Sequence, residues 1–133
     1  MNNILTPSER VARIINMITP YAIWYSLSVE NEEAGDTRIM IHLEYCVVHP
    51  ADLVKQTSEE ECNAMIHSMN VDWLDDTDAT FIQKLDELHL YLQYCNWLSH
   101  QDNYHELSIK EKAEFVERNL KRHKEAQANG LPF

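Results

Sequence analysis

Residues 24–47 read WYSLSVENEEAGDTRIMIHLEYCV, and the fold class follows from how this stretch pairs with itself. Ile39, Ile41, Leu43, Tyr45 and Val47 alternate with Arg38, Met40, His42, Glu44 and Cys46, the most regular period-two run in the chain. On the near side, Tyr25, Leu27 and Val29 alternate with Trp24, Ser26, Ser28 and Glu30. Between them, NEEAGD (31–36) holds a glycine and turn-forming polar residues. Two alternating runs around such a turn predict an antiparallel hairpin with one face buried and one solvated.

Outward from the hairpin the period becomes helical. Upstream, Thr6-Pro7-Ser8-Glu9 supplies a capping hydroxyl, a proline at the first helical position and a glutamate three residues after the cap. Val11, Ile14, Ile15 and Ile18 then form one apolar stripe that ends before Pro20. Downstream of His49-Pro50, Thr57-Ser58-Glu59-Glu60 reads as a second capping box, with Cys62, Met65, Ile66 and Met69 as the stripe of the helix behind it. After the acidic connection NVDWLDDTD comes the longest predicted helix, Ala79 to Ser99. Phe81, Ile82, Leu85, Leu88, Leu92 and Cys95 make its core stripe, while Leu90, Tyr91, Tyr94, Trp97 and Leu98 fill the other side. A helix apolar all round runs through a fold or turns its second face to another chain. Ser108-Ile109-Lys110-Glu111 caps the last helix, whose stripe is Ile109, Ala113, Val116 and Leu120. Pairs such as Glu114–Arg118 and Glu117–Lys121 are expected to line its outer side. The expected order is α-β-β-α-α-α: a single α+β domain over 1–133, with a small antiparallel sheet (the hairpin) packed against about four helices.

Composition narrows the class. At 133 residues, 44% apolar, the chain is long enough to bury a core without staples. Three cysteines, an odd number, fit reduced thiols better than a disulfide framework. The start, MNNILTPSER, lacks the basic and apolar segments of a signal peptide, and no run approaches the length of a membrane span, so a cytoplasmic protein is expected. Charge is the most unusual property. Twenty-two acidic against eleven basic residues give −11, and the excess is uneven. Residues 1–107 hold 18 Asp/Glu against 5 Lys/Arg, whereas 108–133 hold 4 against 6. Such a body repels nucleic acid and anionic membranes and attracts basic surfaces.

Four groups of residues invite a chemical reading. Cys46-x2-His49-x12-Cys62-x4-His67 approaches zinc-site spacing. However, Cys46 and His49 lack a tight glycine turn between them. Cys62 and His67 also sit roughly 140° apart around a helix. A buried Cys62 and a surface His67, with no metal and no cofactor, is the expectation. Asp72, Asp75, Asp76 and Asp78 lack the alternation and glycine of a calcium loop, and are expected to cap the following helix. Thiolate–imidazole pairs, Cys95 with His89 or His100 and Cys46 with His42 or His49, lie in no recognisable catalytic motif. Two glycines cannot form a phosphate loop. The cations Arg118, Lys121, Arg122 and Lys124 suit the C-terminal end of a helix dipole, or self-association of a basic tail with an acidic body through Phe115.

These features point away from an enzyme and toward a protein that works by its surface. The expectation is a small acidic protein that docks on a basic partner, a nucleic-acid-binding protein or nuclease complex, and inhibits or modulates it. Phage-encoded inhibitors of host defence and immunity proteins offer a functional analogy. The phosphate-mimicking groups would be Glu30, Glu32, Glu33 and Asp36 at the hairpin turn, Glu59, Glu60 and Glu61, and Asp72, Asp75, Asp76 and Asp78. Trp73 and Trp97, with Trp24, are the candidate apolar anchors. No direct contact with nucleic acid or membrane is expected. The alternatives are an oligomeric assembly subunit joined through helix 88–98 and, less favoured, a zinc-binding or thiol enzyme.

Overall fold

The computed structural model describes residues 4–31 and 39–130. Two of the three expected capping boxes form as read. At the first, Thr6 Oγ1 accepts from Glu9 N at 3.1 Å and the Glu9 carboxylate accepts from Thr6 N at 3.2 Å, opening α1 (Pro7–Ile18). Ser108 and Glu111 make the same reciprocal pair at the start of α5 (Ile109–Ala128). The second box shifts by one residue. Ser58, not Thr57, is the cap; its hydroxyl accepts from Glu61 N at 3.1 Å, and Thr57 instead donates to Leu53 O.

The hairpin is present as β1 (Trp24–Asn31) and β2 (Ile39–Cys46), paired antiparallel without interruption from Trp24 opposite Cys46 to Asn31 opposite Ile39. The α+β architecture is as read, and the described residues hold five α-helices. One element differs from the expectation. Past β2 come two short helices, α2 (Pro50–Leu53) and α3 (Glu59–Ala64), and then a third strand, β3 (His67–Asp72), antiparallel to β2. The expected helical stripe Cys62, Met65, Ile66, Met69 is therefore split. Cys62 faces inward from α3, while Met69 and Val71 alternate into the core from β3. Four apolar residues at i, i+3, i+4 and i+7 fit a helix, and pairing with β2 overrides that fit.

The longest helix, α4 (Asp78–Ser99), is capped by Thr77, whose hydroxyl accepts from Thr80 N at 3.1 Å. Phe81, Leu85, Leu88, Leu92 and Cys95 are buried as expected, but Ile82 is 44% exposed. On the second side Tyr91, Tyr94 and Leu98 are buried, with Val116 and Leu120 of α5 in the same core. The second apolar face of α4 is thus covered within the chain.

The main core meets the sheet on one side. Ile41, Leu43, Tyr45, Met69 and Val71 share the main core with Ile14 and Ile18 of α1 and the inner stripe of α4. The strand order β1-β2-β3 puts β2 in the centre, with β1 and β3 as edges. The opposite side of the sheet carries the alternate residues of all three strands, and that side faces solvent over most of its length.

Candidate functional site

Cross-strand register builds the open face row by row, because directly opposed residues of an antiparallel pair share a face. The first row is Glu30–Met40–Asp72, the second Ser28–His42–Asn70, the third Ser26–Glu44–Ser68. Trp24 opposite Cys46 makes a fourth. Nine residues occupy the first three rows, and none is Lys or Arg. Glu30 and Asp72, far apart in sequence, flank Met40 on neighbouring strands, about 10 Å apart by strand spacing. At the centre, His42 Nδ1 lies 2.7 Å from Asn70 Oδ1 and His42 Nε2 lies 3.5 Å from Glu30 Oε2. These contacts spread the second row into a flat polar lattice.

The fourth row closes one end. Cys46 is fully buried in a small apolar cluster with Val48, Leu53, Cys62 and Ala113, and Trp24 packs against it. Trp24 is only half-buried, with its ring 5.8 Å from that of His49. This cluster anchors α3 at that end of the sheet. Glu59, Glu60 and Glu61 project from the first turn of α3 and are exposed. Glu32, Glu33 and Asp36 lie outside the described residues.

The Asp72–Asp78 run has a different role from the one read in sequence. It does not cap α4, since Thr77 does; much of it holds other parts of the fold. Asp78 accepts from Ile4 N at 2.9 Å, from Leu5 N at 3.2 Å, and from Arg10 at 3.0 Å. Arg10 is fully buried, its guanidinium also donating to Asp76 O at 2.8 Å and lying 5.2 Å over the Phe81 ring. Asp76 Oδ2 accepts from Asp72 N at 2.8 Å and pairs with Lys84 at 2.9 Å. Trp73 donates its indole N–H to Leu5 O at 2.9 Å and is half-buried. Asp72 Oδ1 accepts from Leu74 N at 3.0 Å, shaping the turn, and Asp75 is exposed. Desolvation works to raise the carboxyls of Asp76 and Asp78. The donors outweigh it: Lys84 and the Asp72 N–H for the first, the Leu5 and Ile4 N–H groups and Arg10 for the second. Both stay below the ordinary carboxylate value.

The zinc-like quartet separates. Cys46 and Cys62 share the small apolar cluster, but His49 turns its Nδ1 to accept from Ala51 N at 3.1 Å at the start of α2. His67 is on a strand rather than a helix, and it is partly buried rather than a surface residue. Its Nε2 lies 2.8 Å from Glu117 Oε2, and its ring stacks on Tyr45 at 5.7 Å and tilts against Tyr91 at 4.8 Å. Through this contact Glu117 ties α5 to β3. Among the described residues no group of three or more His, Cys, Asp or Glu is arranged to hold a metal ion. The thiols are also shielded: burial pushes Cys46 and Cys95 up from their ordinary value. The same desolvation, with Glu87 adding to it, pushes Tyr45 up to about 12.

Trp97 is 49% exposed on α4, edge-on to Phe115 at 5.8 Å, in the helical layer on the far side of the sheet from the carboxylate rows. Val116 and Leu120 of α5 belong to that layer too, whereas Ile109 and Ala113 near its start pack with Cys46 at the end of the sheet. Sequence reading missed Ser26, Ser28, Glu44, Ser68 and Asn70 as members of one surface. The alternation His67-Ser68-Met69-Asn70-Val71-Asp72 was the available signal. No helix among the described residues is long and apolar enough to cross a membrane. The chain matches no family model, no curated protein and no solved structure, so the site is characterised by its own residues alone.

Proposed function

We propose that this chain is a small acidic binding protein of the cytoplasm that docks on a basic, nucleic-acid-handling protein and inhibits or modulates it without catalysis. One observation carries the reading: nine residues in three cross-strand rows form an open face with Glu30, Glu44 and Asp72 and no cation. The three carboxylates stand one on each strand, Glu30 and Asp72 in the first row and Glu44 in the third, so a basic surface laid on this face would meet fixed negative charge across its width. Glu59 and Glu60 on α3 extend the negative surface at one end. Asp76, Asp78 and Trp73 are engaged inside the fold, so the docking set narrows to Glu30, Glu44, Asp72 and the α3 glutamates, with Glu32, Glu33 and Asp36 of the hairpin turn. Trp24, half-buried beside the fourth row, is the apolar anchor best placed for this face. Burial pushes the Cys46 and Cys95 thiols up from their ordinary value, which supports a non-catalytic role.

The test uses four neutral replacements at exposed positions: Glu30→Gln, Glu44→Gln, Glu59→Gln and Glu60→Gln in one chain. The immobilised wild type should retain a basic nucleic-acid-binding protein from its own cell lysate. Retention should fall steeply as salt rises from about 0.05 to 0.3 M, and free DNA or RNA should compete. The four-glutamine chain should lose that partner. Equal recovery by both chains refutes the reading.

A further inference from the structure

The two edges of the sheet are finished differently. Trp73 N donates to Ile39 O at 3.0 Å, so Ile39 turns its backbone polar groups toward β3. Alternation then directs Met40, His42, Glu44 and Cys46 toward β1. Their partners Trp24, Ser26, Ser28 and Glu30 bond back to β2, which leaves Tyr25, Leu27, Val29 and Asn31 with N–H and C=O groups aimed at the outer edge. On β3 the outward groups belong to Ser68, Asn70 and Asp72, and side chains of the same molecule close two of them. Lys84 Nζ donates to Asn70 O at 2.6 Å, and Asp76 Oδ2 accepts from Asp72 N at 2.8 Å. Among the described residues β1 has no such cover. It also lacks proline, lysine and a bulge, the usual means of blunting an edge. Tyr25 and Val29, on the helix side of β1, are 38% and 52% exposed, because the helices cover the sheet mainly over β2 and β3.

We infer that β1 pairs antiparallel with β1 of a second copy, about a two-fold axis at Leu27, to make a continuous six-stranded sheet. The strand is complementary to itself in that register. Leu27 meets the second copy's Leu27, and Tyr25 meets its Val29 on both sides of the axis, so the two most exposed apolar residues of β1 cover each other. These odd-numbered residues are also the ones whose backbone groups are open, so they form the hydrogen-bonded pairs. On the other face Ser26 meets Ser28, and Glu30, the one carboxylate of β1, meets Trp24 rather than its own copy. Moving the axis one residue to Ser28 would set Tyr25 against Asn31 and keep only Leu27 against Val29 as an apolar pair. Because the axis runs through the sheet, both carboxylate faces lie on the same side of the dimer. This inference goes beyond the docking reading and does not rest on it.

Sedimentation equilibrium of the full chain at about 0.3 M salt, where repulsion between the acidic bodies is screened, reads the result directly. The expected mass at high concentration is twice the 15.6 kDa of one chain. Val29→Lys and Val29→Pro should each abolish the dimer with an unchanged far-ultraviolet spectrum. The first adds a charge at the edge; the second removes an N–H that β2 does not use. Chains carrying Ser26→Cys should form disulfides with chains carrying Ser28→Cys, since this non-hydrogen-bonded pair brings Cα atoms to about 4.5 Å. A monomeric mass at every concentration overturns the inference. So does a dimer that survives both Val29 variants, or a disulfide formed by Ser28→Cys chains alone.

Discussion

Arg10 shows how much a single residue reorganises. It lies just ahead of the expected apolar positions of α1, one turn before Ile14, and is fully buried in a helix whose stripe reads as ordinary aliphatic core. A buried guanidinium needs a carboxylate, and Asp78 supplies it while also binding the backbone at Ile4 and Leu5. Asp78 is thus a bracket joining the N-terminal segment, α1 and α4. The sign of its pH effect follows. Asp76 and Asp78 both titrate below the ordinary 3.8 in the folded chain, so the unfolded chain takes up their protons at a higher pH. Their stabilisation is complete well above pH 4 and is lost as pH falls through their lowered values. An Asp76→Asn/Asp78→Asn chain should therefore have a lower urea midpoint than wild type at pH 7. The gap should narrow as pH falls from neutral through the acid range. Parallel midpoints across that range would remove these two groups from the account of acid stability.

At the scale of elements, α4 does the most to organise the fold. Its inner residues meet α1 and the sheet, and its second apolar side meets α5, so it runs through the core with little of its apolar surface left over. Trp97 is the main exception, half-exposed against Phe115. Truncating the two sides should separate them by magnitude. Leu88→Ala, at a fully buried position, should cost about 2–5 kcal/mol of unfolding free energy. Trp97→Ala should cost under about 1 kcal/mol, since its outer half has no neighbours to lose. Urea unfolding of both variants checks the contrast, and equal losses would mean that Trp97 is packed more deeply than described.

Over the whole molecule, charge is sorted only in part: the three rows of the open sheet face carry Glu30, Glu44 and Asp72 without a lysine or arginine, while six of the eleven basic residues lie on α5 beside four glutamates. With a net charge of −11, like-charge repulsion works against the compact state. Added salt should therefore raise the melting temperature of the wild type between about 0.05 and 0.5 M. The four-glutamine chain should show a smaller rise, measured by circular dichroism. An identical salt response in the two chains would mean that these four carboxylates are too far apart to repel one another.

Much of this architecture was legible locally. The alternation across 24–47, the hydroxyl and glutamate at the starts of α1 and α5 and the all-round apolar character of α4 are properties of short windows, and backbone periodicity fixes which residues share a side. The third strand was not legible, because Cys62, Met65, Ile66 and Met69 satisfy helical spacing while His67–Asp72 satisfies strand spacing. Only pairing with β2 chooses between them. The fate of the acidic run was hidden for a related reason. Arg10 and Asp78 lie 68 residues apart, and spacing along a chain carries no information about which distant charge will come within 3 Å. The sequence by itself determined the hairpin, the caps of α1 and α5, the long α4 and the sign of the charge. Tertiary structure decided which carboxylates turn inward, which gather on the open face, and which edge of the sheet is left without a partner.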